Sequence, residues 1–290
     1  MAPPLAIAYL SGEYLPLAEA RISPLDRAFL FGDAVYEVLP VYDGRPFLAA
    51  EHFARLERSL AALKIPNPHS REAWLALIVE LVARNGGDMG LYLQVSRGAE
   101  AGRNHAIPTG LAPSVFMMCS PPLEENPVAL ADGVAAITLA DPRWKRCDIK
   151  STALLGNVLA KSRAVEAGVT EAILIGNGEL REGASSSVLV VRGGKLCAPP
   201  EGPEILPGTT RDLCFRLALR ARLPVEIGPI AADSLASADE ILLGYASRGV
   251  LPVTRLNGAA IGTGRPGPVF QMLHEAFRAY RRQVAGTAPL

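Results

Sequence analysis

The chain has 290 residues, 49% of them hydrophobic and 20% charged, which is enough to bury a large core and, at that length, to divide into two domains. Lysine plus arginine balances aspartate plus glutamate at 29 each, which excludes the broad positive field that nucleic acids and anionic membranes require; neither is expected as a partner. The four cysteines and four histidines are dispersed without ligand spacing, so no metal site is expected, and the lack of a secretory leader or long apolar run points to the cytoplasm.

Taken in chain order, Ile7 to Leu10 reads as a strand closed by a Ser11-Gly12 turn, and Asp33 to Val41 as a second strand turning at Asp43-Gly44. Phe53, Leu56, Leu60 and Leu63 recur at helical spacing over Glu51 to Lys64, and Trp74, Leu77, Ile78 and Leu81 repeat that pattern. Alternation at Leu91, Leu93 and Val95 and the apolar run Ser114 to Cys119 return to strand before Pro121-Pro122. There the domain boundary is expected: residues 1–120 as a small domain, 121–127 as a linker and 128–290 as a large domain. Beyond it Val134 to Leu139, Ala172 to Ile175, Ser187 to Val191 and Ile241 to Tyr245 read as strands, with turns at Asn177-Gly178 and Gly193-Gly194. Thr152 to Ala167, Thr209 to Ala221 and Val269 to Arg282 read as helices. The expected class is α+β, without a regular βαβ repeat.

Several residues have the chemistry of a site. Lys150 stands between Ile149 and a Ser-Thr pair ahead of a helix, where partial burial favours a nucleophilic amine; Ser151 or Thr152 as a helix cap with Lys150 facing outwards is the plain alternative. Glu182, in Leu180-Arg181-Glu182-Gly183, is a carboxylate able to hold a pyridine nitrogen protonated, or simply a turn glutamate. Pro207-Gly208-Thr209-Thr210 opens a helix with free N–H groups and hydroxyls suited to a phosphate, unless Thr209 only caps it. Arg55 flanks the apolar stripe of its helix as a phosphate partner or an exposed ion pair. Arg103-Asn104-His105 lies in a loop where a guanidinium and an imidazole can converge on one carboxylate, though a solvated loop has the same sequence.

The stretches Phe31-Gly32-Asp33-Ala34-Val35-Tyr36-Glu37-Val38, Glu51-His52-Phe53-Ala54-Arg55-Leu56, Gln94-Val95-Ser96-Arg97-Gly98, Cys147-Asp148-Ile149-Lys150-Ser151, Leu154-Leu155-Gly156-Asn157-Val158, Glu182-Gly183-Ala184-Ser185-Ser186-Ser187 and Leu206-Pro207-Gly208-Thr209-Thr210-Arg211 occur together and in order. In this the chain resembles the class IV aminotransferases, enzymes of fold type IV that use pyridoxal 5′-phosphate, and within them the D-amino-acid aminotransferase branch. The resemblance implies a small N-terminal α/β domain and a larger C-terminal α+β domain, with the cofactor in the cleft between them and a homodimer completing the site. It implies that Lys150 holds the cofactor as a Schiff base and shuttles the proton, that Glu182 pairs with the ring nitrogen and that Leu206 packs on the ring. Arg55, Thr209, Thr210, Ala246 and Ser247 would hold the phosphate, and His52 and Arg143 would support Glu182. Tyr36, Arg103 and His105 would bind the substrate carboxylate.

The implied reaction is a ping-pong transamination through pyridoxamine phosphate, between D-amino acids such as D-alanine or D-glutamate and 2-oxo acids. Branched-chain L-amino acid and (R)-amine transaminases and aminodeoxychorismate lyase share the family and are the alternatives; a non-catalytic cofactor-binding protein is the alternative outside enzymes. The stretch Gly244-Tyr245-Ala246-Ser247-Arg248-Gly249-Val250 departs from the family pattern, in which a glutamate commonly stands where Gly249 does. Arg248 reads either as a second carboxylate anchor or as a surface cation.

Overall fold

The computed structural model describes residues 3–122 and 125–286; residues 123 and 124 of the expected linker lie outside them. The chain forms two compact units. The first holds residues 3–122 together with Ile149–Ala153, and the second holds the remainder. The sequence reading assigns Ile149–Ala153 to the larger domain, but its packing is with the first unit.

The first unit contains β1 (Ile7–Leu10), β2 (Glu13–Pro16), α1 (Arg27–Phe31), β3 (Ala34–Tyr42), β4 (Arg45–Pro46), α2 (Ala49–Leu63), α3 (Arg71–Asn85), β5 (Met89–Ser96) and β6 (Ser114–Ser120). Its six strands form an antiparallel sheet in the order β2-β1-β6-β5-β3-β4. The β3–β4 turn carries Asp43 at φ 49° and Gly44 at φ 74°, the left-handed pair that a two-residue hairpin with the correct twist needs. The alternation read in the sequence sorts the two faces. Val35, Leu39, Val41, Leu91, Leu93, Val95, Val115 and Met117 join Phe53, Leu56, Leu60, Trp74, Ile78 and Leu81 in one core. Burying that much apolar surface is the main stabilising term of the unit. The opposite face presents Tyr36, Tyr92 and Phe116, half-buried and in ring contact.

The second unit contains α4 (Pro127–Asp132), β7 (Val134–Ala140), α5 (Leu155–Glu166), β8 (Glu171–Gly176), β9 (Glu179–Gly183), β10 (Ser187–Arg192), β11 (Lys195–Ala198), α6 (Thr209–Arg220), β12 (Val225–Ile227), β13 (Glu240–Tyr245), β14 (Gly249–Leu256), β15 (Ala259–Ala260) and α7 (Pro268–Gly286). Its nine-stranded sheet runs β12-β11-β10-β13-β14-β7-β8-β9, with β15 on β14. It is mixed: β11 with β12, β14 with β7 and β7 with β8 are parallel, and the remaining pairs are antiparallel. Pro252 lies inside β14, where a proline removes a ladder donor. It is tolerated because β14 pairs there with β13 only, and its pairing with β7 begins at Val253. Among the described residues no helix is long and apolar enough to cross a membrane.

Two local expectations are corrected. The helix expected from Thr152 starts at Leu155, because Ser151 bridges to Val35 and the Thr152 N–H donates to the Ala34 carbonyl at 3.0 Å, so this segment is extended backbone. Glu182, expected in a connection between strands, lies on β9.

Candidate active site

The segment Ile149–Ala153 is sewn to the edge of β3. The Tyr36 N–H donates to the Lys150 carbonyl at 2.9 Å, the Lys150 N–H donates to Ser59 Oγ of α2 at 3.2 Å, and Thr152 Oγ1 donates to the Gly32 carbonyl at 3.2 Å. With its backbone held on three sides, Lys150 projects its Nζ over the Tyr36 ring, 4.4 Å from the centroid. The amine is half-buried and forms no ion pair among the described residues, and Tyr36 is itself stacked on Tyr92. The amine thus lies on an aromatic floor, with no carboxylate in ion-pair contact among the described residues.

Beside it in the same unit is a buried trio. Glu37, 1% exposed, accepts from Arg55 Nε at 2.8 Å and Nη2 at 2.7 Å, and from His52 Nδ1 at 2.7 Å. Burial pushes Glu37 up, but Arg55 outweighs it and holds the carboxyl well below its ordinary range. Burial likewise depresses His52 more than Glu37 raises it, so the imidazole is neutral. His52, expected to support Glu182, has Glu37 as its carboxylate partner, and Glu37 was not singled out from the sequence. The signal was present: Glu37 alternates with apolar residues on the core face of β3, where an acid needs a buried cation.

In the second unit Glu182 Oε1 accepts from Arg143 Nη1 and, at 3.1 Å, from the backbone N–H of Leu206. Arg143 is in turn gripped by Asp141, Nε to Oδ1 at 2.9 Å and Nη2 to Oδ2 at 2.8 Å. Burial works against the Arg143 charge, and Asp141 and Glu182 together hold it firmly protonated. Gly156, at the start of α5, lets that helix close on Arg143, since a Cβ there would lie 3.0 Å from the Arg143 Cα. Asn157 Nδ2 donates to the Ala184 carbonyl at 2.9 Å, tying α5 to the turn after Glu182. Leu206, expected to pack on a ring, contributes at least its backbone N–H to this group.

The α6 N-terminus has Gly208 as its cap residue, with no side-chain cap. Thr209 therefore does not act as the cap, and both Thr209 and Thr210 are buried. A Cβ at Gly208 would come 2.3 Å from Ser187 Oγ, so a larger residue there would oblige the serine hydroxyl to turn away. The first-turn N–H groups of α6, two hydroxyls and the positive helix end beside Gly208 fit a phosphate. Ala246 and Ser247 lie in the β13–β14 turn, closed by Gly249 at φ 68°. Arg248 in that turn is exposed, 6.0 Å from the Tyr245 ring.

Sequence reasoning also missed Glu171, wholly buried at the start of β8. Its Oε2 accepts from Ser185 Oγ at 2.7 Å, Ser186 Oγ at 3.1 Å and Tyr245 Oη at 2.8 Å. One carboxylate thus ties the turn that follows Glu182 to the strand end that precedes Ala246. Its partners are scattered in the sequence, and no local pattern marks them.

Arg103 and His105 are exposed but held on one surface: the Phe31 ring lies 5.0 Å from the Arg103 guanidinium and 5.3 Å from the His105 ring. No hydrogen bond or ring contact joins either residue to Tyr36 among the described residues.

The first unit thus presents the Lys150 amine on an aromatic ring, and the second presents the Glu182 carboxylate held by Arg143 and the glycine-led N-terminus of α6. The family model for class IV aminotransferases matches residues 34–256, and the chain belongs to that family. It is 36% identical over 273 residues to the D-alanine aminotransferase of Staphylococcus haemolyticus, covering 94% of this chain and 96% of that protein. It is 39% identical over 269 residues to the D-alanine aminotransferase of Bacillus licheniformis, covering 92% and 94%. Among solved structures it is similar to the T.th. branched-chain amino acid aminotransferase with pyridoxamine 5′-phosphate, with TM-score 0.89, 28% identity and coverage of 98% and 96%. It is also similar to the branched-chain enzyme of Escherichia coli, with TM-score 0.88, 26% identity and coverage of 95% and 94%. The α+β fold is that of fold type IV.

Proposed function

We propose that this aminotransferase moves an amino group from a D-amino acid, of the D-alanine or D-glutamate kind, to a 2-oxo acid, with pyridoxal 5′-phosphate as cofactor. The observation that carries the reading is the 36% identity to a D-alanine aminotransferase over 94% of the chain, together with an arginine and a histidine seated on one aromatic ring. Branched-chain enzymes share the fold at lower identity, 28% and 26%, and are the second reading.

The residues fit the cofactor by their donor sets. Thr209, Thr210, the α6 N–H groups, Ala246 and Ser247 would hold the phosphate, with Arg55 as its guanidinium. Glu182, backed by Arg143, would face the ring nitrogen, and Leu206 would line the ring. When bound, the cofactor supplies an aldehyde that takes up an amino group and a protonated ring that withdraws the electron pair left at the substrate Cα. Lys150 would attach to that aldehyde with loss of water; once the incoming amino group has taken its place, the freed Nζ would take the Cα proton and deliver it to the former aldehyde carbon, across the intervening nitrogen. Glu182 would accept from the protonated ring nitrogen, and Arg143 and the Leu206 N–H fix the position of its carboxylate. Tyr36 floors the amine and orients it. Arg103 and His105 hold the substrate carboxylate, which fixes which face of Cα meets Lys150.

A homodimer in the cytoplasm belongs to this reading. Supporting it are Leu155, Val158 and Leu159, which leave an apolar face of α5 exposed, and four cysteines that are all free thiols. The test is a half-reaction panel on the cofactor-loaded protein. D-Alanine and D-glutamate are expected to bleach the cofactor absorbance fastest; faster bleaching by L-leucine, (R)-1-phenylethylamine or aminodeoxychorismate would overturn the substrate assignment.

A further inference from the structure

Arg27 is 3% exposed and no motif of the reaction uses it, yet it is the centre of the structure around the Arg103-Asn104-His105 tripeptide. Its Nη1 donates to the carbonyl of Asn104 at 2.7 Å, so the middle residue of the tripeptide is held from beneath. The same Nη1 pairs with Glu100 at 2.8 Å, at the start of the loop. Its Nε pairs with Asp33 at 2.8 Å, and its guanidinium lies over the Phe31 ring at 4.7 Å. That ring also carries Arg103 and His105.

The loop is fastened further at its base. The Arg27 N–H donates to the Gly98 carbonyl at 3.0 Å, the Glu100 N–H to the Leu25 carbonyl at 3.3 Å, and Asp26 bridges to Ala99. Asp33 is shared with Arg97, which donates to it from Nε at 2.7 Å and Nη2 at 2.9 Å and also reaches the last carbonyls of α2, those of Leu63 and Lys64. Two buried guanidinium groups thus face the carboxylates of Asp33 and Glu100, while Arg103 at the surface forms no ion pair among the described residues.

An exposed cation on an aromatic face is held too weakly by that contact alone to offset the ordering of an arginine side chain. Any fixed spacing of the two side chains therefore depends on the backbone, which Arg27 holds at the Asn104 carbonyl.

We propose that Arg27 is a positioning residue for carboxylate recognition: by gripping the Asn104 carbonyl and the Phe31 ring together, it sets the spacing at which Arg103 and His105 meet the carboxylate of the incoming amino or oxo acid. This rests on the reading of Arg103 and His105 as the carboxylate anchor. Arg27 touches neither substrate nor cofactor. A lysine at this place would keep the charge but reach only one side of the grip, because it lacks the planar fork.

The test compares Arg27→Met, Arg27→Lys and Arg103→Met with the parent holoenzyme. In Arg27→Met the KM for D-alanine and for 2-oxoglutarate is expected to rise about tenfold, the loss of part of one charge-assisted contact, with kcat within about twofold. The inhibition constant of acetate, a bare carboxylate probe, should rise with it. Amide hydrogen exchange should quicken over residues 98–107 and stay unchanged in α2. Arg27→Lys should fall between the two, and it carries the same test if Arg27→Met does not fold. Unchanged KM and acetate inhibition in the Arg27 variants, with a raised KM in Arg103→Met, would overturn the inference alone. An unchanged KM in Arg103→Met would instead overturn the anchor reading on which it rests. A fall in kcat with KM and acetate inhibition unchanged would show a merely structural role and also overturn the inference.

Discussion

Replacing Glu37 with alanine tests how the Lys150 side of the site is built. The carboxylate is 1% exposed and accepts three hydrogen bonds of 2.7–2.8 Å, two from Arg55 and one from His52. The substitution removes the acceptor those donors share while leaving a buried cation in place, and breaking a buried pair from one side costs about 3–5 kcal/mol. At roughly 2–4 °C per kcal/mol for a chain of this size, the melting temperature should fall by about 10 °C. Urea unfolding followed by tryptophan fluorescence reads the effect locally, because Trp74 is buried in the first unit and Trp144 is partly exposed in the second. The early loss should belong to the Trp74 signal. Adding Arg55→Met to Glu37→Ala should recover part of the stability, since the buried guanidinium that loses its Glu37 contact is then removed as well. A single variant within about 0.5 kcal/mol of the parent, or a double variant no better than the single, would refute the reasoning.

Other expectations follow from the same structure. His52, Glu37 and Asp33 all bind a proton more weakly when folded than their ordinary values of 6.5, 4.5 and 3.8. Their stabilising effect is therefore complete above those values and is lost as the pH falls from them towards the lower folded values, first at His52 and, below about pH 4.5, at the carboxylates. The urea midpoint should decline on acidification from about pH 7 to pH 4, and a rise would contradict the assignment. Gly249→Ala places a side chain at φ 68° with its Cβ 3.1 Å from the Phe277 ring, and should cost about 1–3 kcal/mol in thermal unfolding; an unchanged melting temperature would show that the turn relaxes freely. Glu182→Gln should lower kcat by about a hundredfold or more while the protein still takes up cofactor, measured by absorbance titration and steady-state assay. Near-parental turnover in that variant would remove Glu182 from the proposed chemistry.

How far the fold and site are legible in the sequence depends on whether the cause is local. Period-two and helical patterns mark β3, α2, α3, β5 and β6, because each buries one face against the same core. The Thr152 to Leu154 stretch reads as helix in the sequence yet stays outside α5, because Ser151 and Thr152 answer to β3, distant in sequence. Pro252 argues against a strand at β14, and only the late start of the β7 pairing makes it acceptable. Lys150, Glu182 and the Gly208-Thr209-Thr210 turn are legible as chemistry in motifs. Their supports, Glu37 for Arg55 and His52, Asp141 for Arg143, Glu171 for the serine turn, and Arg27 for the carboxylate loop, are long-range pairings of charge that no spacing records. Arg248 is exposed in its turn and forms no ion pair among the described residues, which is compatible with both of its readings.

Covalent capture of the cofactor by Lys150 is the step on which the proposed chemistry depends. Borohydride reduction of the pyridoxal 5′-phosphate-loaded protein, followed by peptide mapping by mass spectrometry, should place one phosphopyridoxyl group on Lys150 and none on Lys145 or Lys161. A label on another lysine, or a protein that takes none under those conditions, would contradict that assignment.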